Sequence, residues 1–210
     1  IEMAPFLYQE SYGAAQVRGY ADLKNGYNYN FDVRYEQFSD NGDMYSVTAY
    51  YKHPHTPIER TQTLAGGSTQ HSFRNAEDGR AAGVEVEFRK TFLRDFRLNL
   101  NATYMYTDVK LVEGGAYTNL ERPLQGASPY LGNADLVYSH RFTGDRVLNL
   151  ALSYNIQGPR IHAVGISGLG DVIQQTVHTL NFNGSYALSK HFTLTAKALN
   201  FLNRPIVFKQ

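Results

Sequence analysis

Leu148-Asn149-Leu150-Ala151-Leu152-Ser153-Tyr154-Asn155-Ile156 decides the fold class. Every second residue is apolar, and the residues between them are small or amide-bearing. That is the period of a strand, whose successive side chains leave opposite faces. Leu180-Asn181-Phe182-Asn183-Gly184-Ser185-Tyr186-Ala187-Leu188 repeats it, and Phe192, Leu194, Ala196 and Ala198 alternate with Thr193, Thr195 and Lys197. Upstream, Tyr27, Tyr29, Phe31, Val33 and Tyr35 alternate with Asn28, Asn30, Asp32, Arg34 and Glu36. Tyr45, Val47, Ala49 and Tyr51 make a fifth run, Val84, Val86 and Phe88 a sixth, Phe96 to Tyr106 a seventh, and Ala134, Leu136 and Tyr138 an eighth.

The spacing predicts an all-β chain, an antiparallel meander of eight long strands near 27–38, 44–53, 82–92, 96–108, 131–141, 147–158, 177–188 and 192–201. Strands of soluble proteins centre near 5–6 residues, whereas tilted membrane strands need about 9–11. The connections sort by length. Ser39–Asp43, Leu93–Asp95, Thr143–Arg146 and Ser189–His191 are tight and carry hairpin chemistry, Asn-Gly and Gly-Asp among them. His53–Ala82, Asp108–Leu131 and Gln157–Val177 are long. Short turns on one rim and long loops on the other mark a transmembrane β-barrel. On that reading Leu100, Leu148, Leu150, Leu152, Phe182 and Leu194 face lipid. Asn101, Asn149, Ser153, Asn181 and Thr195 then face a wet lumen. The charges Arg34, Glu36, Glu85, Glu87, Arg89, Arg97 and Lys197 sit on the same polar side.

Composition agrees. The chain has 210 residues, 42% hydrophobic and 19% charged, with 16 Tyr, 12 Phe and no Trp. Twenty basic residues against 19 acidic ones give a net charge of +1, which offers nucleic acid no electrostatic footprint. The absence of cysteine excludes a disulfide framework and Cys-ligated metal sites. Mean hydropathy is −0.41, and no apolar run is long enough for a membrane helix.

The order of several short blocks resembles the β-barrel portion of TonB-dependent outer-membrane receptors, in particular the outer-membrane barrel type of Bacteroidota. Phe31–Glu36 followed by Ser46–Lys52 resembles one family hairpin, and Pro57-Ile58-Glu59 the start of the external segment after it. Arg74-Asn75-Ala76 with Gly83–Glu87 resembles the next strand. Arg122-Pro123-Leu124-Gln125-Gly126, then Ser128-Pro129-Tyr130, Asn133 and Leu136-Val137-Tyr138, is the most specific block. Tyr154-Asn155, Gly158–Ile161 and Asn200–Asn203 follow in register. Gly19–Leu23 and Asn181 depart from the family pattern, which leaves the substrate class open.

The resemblance implies that residues 1–210 are the C-terminal part of a larger barrel of the 22-stranded, plugged type. The plug domain, the closing C-terminal strand and the segment that meets the TonB-type energy-coupling protein are then expected outside this chain. Expected partners are outer-membrane lipid, the plug, the remaining strands and the coupling protein, in the Gram-negative outer membrane. The implied function is energised import of a scarce nutrient: siderophore, haem, cobalamin, glycan or peptide. A passive porin and a soluble β-sandwich binding module are the alternatives that the alternation by itself permits.

No nucleophile–base or paired-carboxylate arrangement stands out, so neither an enzyme nor a cofactor is expected. His53-Pro54-His55 reads as solvated external loop rather than a metal site, and Gly165–Gly170 as loop rather than a phosphate cradle, having no strand–helix context. If cargo meets the external loops, the exposed groups to test are Arg60, Tyr117, Arg122, Arg160 and His162. Arg and Tyr are favoured contact residues, and loops on rigid scaffolds carry binding.

Overall fold

The computed structural model describes residues 9–12, 15–65, 68–110 and 118–210. In chain order the strands are β1 (Gln9–Tyr12), β2 (Ala15–Arg18), β3 (Tyr27–Phe38), β4 (Met44–His55), β5 (Ile58–Ala65), β6 (Ser68–Asn75), β7 (Gly79–Phe92) and β8 (Phe96–Lys110). They continue as β9 (Glu121–Arg122), β10 (Tyr130–Arg141), β11 (Val147–Gln157), β12 (Arg160–Gly165), β13 (Val172–Gln174), β14 (Val177–Ser189), β15 (Phe192–Ala198) and β16 (Phe208–Lys209). No described residue is helical.

Eight long strands form one sheet in the order β15-β14-β11-β10-β8-β7-β4-β3, with β9 attached to β8. Neighbouring wall strands are all antiparallel, so the meander holds. Register explains why the alternation is so regular. Tyr35, Val47, Val86, Ala102, Gly132 and Ile156 stand in one cross-strand row. The next row but one toward the tight turns runs Leu98, Leu136, Leu152, Phe182 and Ala198. A slip of one residue in any strand would carry its apolar set to the polar face, so each strand holds its neighbours in place. Leu100, Leu148, Leu150, Leu152, Phe182 and Leu194 share the apolar face, and Asn101, Asn149, Ser153, Asn181 and Thr195 the other.

The apolar face is bare. Phe31 is 68% exposed and Leu194 53%, a surface far larger than a soluble chain leaves to water. Aromatic rings gather at both of its rims. Near the tight turns Phe92, Phe96, Tyr138, His140, Phe142 and Tyr186 form a chain of ring contacts with centroids 4.5–6.2 Å apart. Tyr27, Tyr29, Tyr104, Tyr106 and Tyr130 mark the other rim. Leu150 lies in the same row as Phe96 and Tyr138. Leu152 is therefore the residue nearer the middle of the band.

Much of the polar face is hydrogen-bonded from strand to strand, although the buried Thr48 Oγ1 has no partner. Arg34 bonds Glu36 and, at 2.6 Å, Glu87, which also accepts from Ser46 at 3.2 Å. Across the sheet the ladder continues with uncharged groups: Asn133 to Asn101 at 2.5 Å and Ser139 to Asn149 at 2.7 Å.

At the tight-turn end, Gly42 (φ 84°) and Gly144 (φ 79°) supply the left-handed residue that their turns need. Gly83 has a different reason. The Tyr50 ring lies over it, and a Cβ there would meet Tyr50 Cζ at 2.5 Å and the Tyr104 carbonyl oxygen at 2.6 Å.

Two expectations need correction. The long connections are not irregular loops. Most of their described residues are strand: the first and third supply β5, β6, β12 and β13 to a second sheet in the order β1-β2-β6-β5-β12-β13-β16, and the second supplies β9, which pairs with β8 of the wall. The last wall strand stops at Ala198 rather than 201, because Asn200 (φ 53°) turns the chain and Phe201 then donates to Leu180 O at 2.8 Å.

Candidate functional site

The second sheet caps the long-connection rim. Its inner pair is the β5–β6 hairpin, in register from Ile58↔Asn75 to Ala65↔Ser68. β12 joins β5 in parallel at Val164↔Thr61 and Gly165↔Gln62, and β2 joins β6 in parallel. The parallel pairing of β5 with β12 joins the first and third long connections, and backbone bonds from Thr118 N to Gly165 O and from Gly126 N to Ile161 O tie in the second.

A buried ion pair fastens this cap to the wall. Glu59 on β5 and Arg122 on β9 have side chains 2% and 3% exposed. Arg122 Nη1 donates to Glu59 Oε1 at 2.8 Å and Nη2 to Oε2, a two-pronged pairing that a guanidinium makes and an ammonium does not. Gln125 adds three bonds. Its amide donates to Arg60 O and His162 O, both at 2.8 Å, and its Oε1 accepts from Arg60 N at 2.5 Å. Leu124 N reaches Thr107 Oγ1 at 3.1 Å, and Gly126 N reaches Ile161 O at 2.9 Å. The block Arg122–Gly126 thus ties β5, β8 and β12 together. Beneath it a cavity of about 610 Å³ is lined by Asn28, Lys52, Glu59, Thr107 and Gln125 among others.

A basic cluster occupies the same cap. Arg60 and His71 are diagonal neighbours on β5 and β6, since Arg60 pairs with Phe73 and Gln62 with His71. His71 has its imidazole pushed down to about 4, first by burial, then by the charges of Arg60 and His162. His162 is lowered as well, by burial and then by Arg60 and Arg160. Its ring packs on Phe208 with centroids 4.8 Å apart. Arg160 Nε donates to Gln174 Oε1 at 2.9 Å. Arg60 Nε and His71 Nδ1 are buried without a hydrogen-bond partner.

Of the five residues singled out by sequence, the fold brings Arg60, Arg160 and His162 into this cluster. Arg122 is a correction: it is not an exposed group but 6% exposed and held by Glu59. Tyr117 lies outside the described residues. Sequence reading missed His71, because one His on a strand whose single apolar residue is Phe73 carries no signal. It also missed the partnership of Glu59, Arg122 and Gln125, although all three lie in the quoted blocks.

His53 and His55 are not loop residues. They end β4 and pair with Tyr29 and Tyr27, and both face Asp78, at 3.4 and 2.5 Å. Among the described residues, no group of three or more His, Cys, Asp or Glu is placed to hold a metal ion. Gly165–Gly170 forms a tight reversal between β12 and β13, with Ser167 at φ 58° and Gly168 at φ 88°. Asp171 Oδ1 accepts from Gly165 N there at 2.9 Å.

Comparison with known proteins gives one family and one fold. The family model described as TonB dependent receptor-like, beta-barrel, matches residues 3–201. No curated protein sequence matches. Among solved structures, the ferric enterobactin receptor PfeA of Pseudomonas aeruginosa, as its R480A mutant in complex with enterobactin, is similar at 18% identity over 90% of this chain, with a TM-score of 0.59. The siderophore receptor PirA of Acinetobacter baumannii is similar at 16% identity over 90% of this chain, with a TM-score of 0.60. The chain spans 28% and 29% of those two structures, and at such identity the likeness concerns the fold.

Proposed function

The chain belongs to the TonB-dependent receptor-like β-barrel family, and from that premise we propose that it is part of the wall and external cap of an outer-membrane receptor that imports a scarce nutrient with energy from the inner membrane. The observation that carries the reading is the pair of faces. One continuous apolar face with aromatic rims backs onto a hydrogen-bonded polar face across eight strands, with a register shift at Ala187/Ser189 where β14 meets β15. Lipid accepts the first and water the second.

The sheet ends at β3 and β15, whose outer edges have no strand partner among the described residues. Unpaired backbone is not tolerated in hydrocarbon, so further strands of a larger, 22-stranded type of barrel complete the closure. The polar wall then faces the plug domain of the same receptor. The charges of β3, β4 and β7 offer it ionic contacts, and the Asn, Ser and Thr of β10, β11 and β14 neutral ones. Cargo meets the cap, and the TonB-type coupling protein acts through parts of the receptor outside this chain.

Import by cells that carry the intact receptor tests this. Uptake should stop when an uncoupler collapses the inner-membrane proton gradient, while binding to the cells persists. Uptake that continues at the parental rate without the gradient overturns energy coupling and makes the passive porin the better account.

A further inference from the structure

We propose that the tight-turn rim carries a binding site for the phosphate headgroup of an anionic phospholipid, built on the β7–β8 turn from Lys90 and Arg94, with Leu93 set at the edge of the acyl chains. The site rests on the membrane-wall reading above and not on import.

Charge is the first observation. The β3–β4, β7–β8, β10–β11 and β14–β15 turns follow one another along this rim. The first is acidic, with Asp40 and Asp43, but residues 89–97 hold Arg89, Lys90, Arg94 and Arg97 against Asp95 alone. The nearby acids are engaged elsewhere. Asp95 Oδ2 holds His140 Nδ1 at 2.5 Å, and Asp43 Oδ1 accepts from Thr91 N at 2.8 Å. Among the described residues, no carboxylate pairs with Lys90 or Arg94. Place is the second observation. Lys90 is exposed between Phe88 and Phe92 on the apolar side of β7, opposite Leu98. A lysine there lays its stem along apolar surface and carries its ammonium to the headgroup level. The chain of ring contacts from Phe92 to Tyr186 marks that level. A cation on the lipid face meets lipid phosphate, whereas a soluble partner meets only the tip of the turn.

Conformation is the third. Leu93 and Arg94 are both left-handed, at φ 48° and 61°. That region is strained for every residue but Gly, and to a lesser degree Asn and Asp. The turns on either side avoid the strain with Gly42 and Gly144. A glycine would reverse the chain here as well, so what Leu93 and Arg94 add is their side chains. Leu93 is 78% exposed, the barest large apolar residue described. Water is a poor medium for it and the bilayer interface a good one. Strain held where unpaired cations and a bare leucine meet points to a ligand. The guanidinium presents a fork to two phosphate oxygens, and the ammonium adds a mobile point charge. Tight turns of such barrels are periplasmic, and the periplasmic leaflet of the outer membrane is phospholipid. The ligand is therefore a glycerophospholipid whose headgroup has a net negative charge.

The test uses the intact receptor in phosphatidylcholine vesicles, with Leu98→Cys labelled by bimane and any cysteine elsewhere in the receptor replaced. Leu98 pairs with Lys90, so the label reads lipid at the site. Quenching by dibrominated phosphatidylglycerol, set against quenching by dibrominated phosphatidylcholine, gives the local preference for the anionic lipid. The labelled parent should favour phosphatidylglycerol by at least about fivefold, as two cations at a lipid surface allow. Joint Lys90→Gln and Arg94→Gln should bring the preference below about twofold. Joint Lys90→Arg and Arg94→Lys should keep it, which separates charge from folding. Lys24→Gln, at the long-connection rim, should change nothing. A preference equal in the parent and the double-Gln variant overturns the site. Quenching of the parent by both lipids alike refutes the headgroup site and leaves the membrane wall standing. No quenching by either lipid overturns the wall itself.

Discussion

Arg122→Ala removes the cation from the clasp and leaves Glu59 buried. The carboxylate would keep a 3.4 Å contact to Gln125 N but lose both guanidinium bonds. With both side chains almost wholly inaccessible, water cannot replace the partner without opening the cap. Breaking a buried pair from one side costs about 3–5 kcal/mol. At 1.36 kcal/mol per decade, that is roughly two to nearly four orders of magnitude in the opening equilibrium of the cap. Hydrogen exchange on the intact receptor reads it directly. Amides of residues 59–64, 122–126 and 161–165 should lose protection by that factor, and amides of 134–138 and 150–154 in the wall should not move. The joint variant Glu59→Leu, Arg122→Met should regain most of the protection, since an apolar pair of similar volume leaves no uncompensated charge. A change under about half a kcal/mol in the single variant, or a double variant no better than the single, would refute the clasp.

Three further outcomes are expected. Leu152→Arg should lower the unfolding free energy of the receptor in lipid by about 2–4 kcal/mol, with less loss at Leu150, nearer the aromatic rim, and least at Ser153 on the polar face; urea titration read by heat-modifiable electrophoresis checks the order. Gly83→Ala should destabilise by about 1–3 kcal/mol in the same assay, because the new Cβ has to displace both the Tyr50 ring and a backbone carbonyl. Ligand-free, the cap should weaken as pH falls from about 6.5, where an opened His71 takes its proton, to about 4, where the closed one does. The open form binds more protons in that window, so protection of residues 60–64, corrected for intrinsic exchange, should decline there, stay level above pH 7, and lose its slope in His71→Gln.

The wall was legible because lipid and lumen impose opposite demands on alternate residues. Leu148–Ile156 and Leu180–Leu188 could hardly alternate more cleanly, and their registers follow. The cap was not legible because its strands meet neither solvent. Glu-Arg-Thr-Gln-Thr at 59–63 and Ser-Thr-Gln-His-Ser at 68–72 have no apolar face to reveal a period of two. They are held by parallel pairing to remote segments and by side chain–backbone bonds from Gln125, which leave no local pattern. The same physics separates the candidate residues. Arg60, Arg160 and His162 could be named from residue type and loop position, whereas the burial of Arg122 follows from a carboxylate 63 positions away. The Arg122–Gly126 block was the most recognisable stretch, and its structural work in joining three strands gives a physical reason for a fixed sequence there.

The central claim, that these strands are a membrane wall with one lipid face and one wet face, is tested most directly by spin labels along β11. Single cysteines at 148 through 153 of the intact receptor, reconstituted in lipid and labelled with nitroxide, should show accessibility to oxygen that peaks at Leu148, Leu150 and Leu152. Accessibility to a water-soluble nickel chelate should be lowest at those three positions, and oxygen accessibility lower at Asn149, Ala151 and Ser153. Oxygen and nickel accessibilities that rise and fall together, or that show no period of two, would contradict the account.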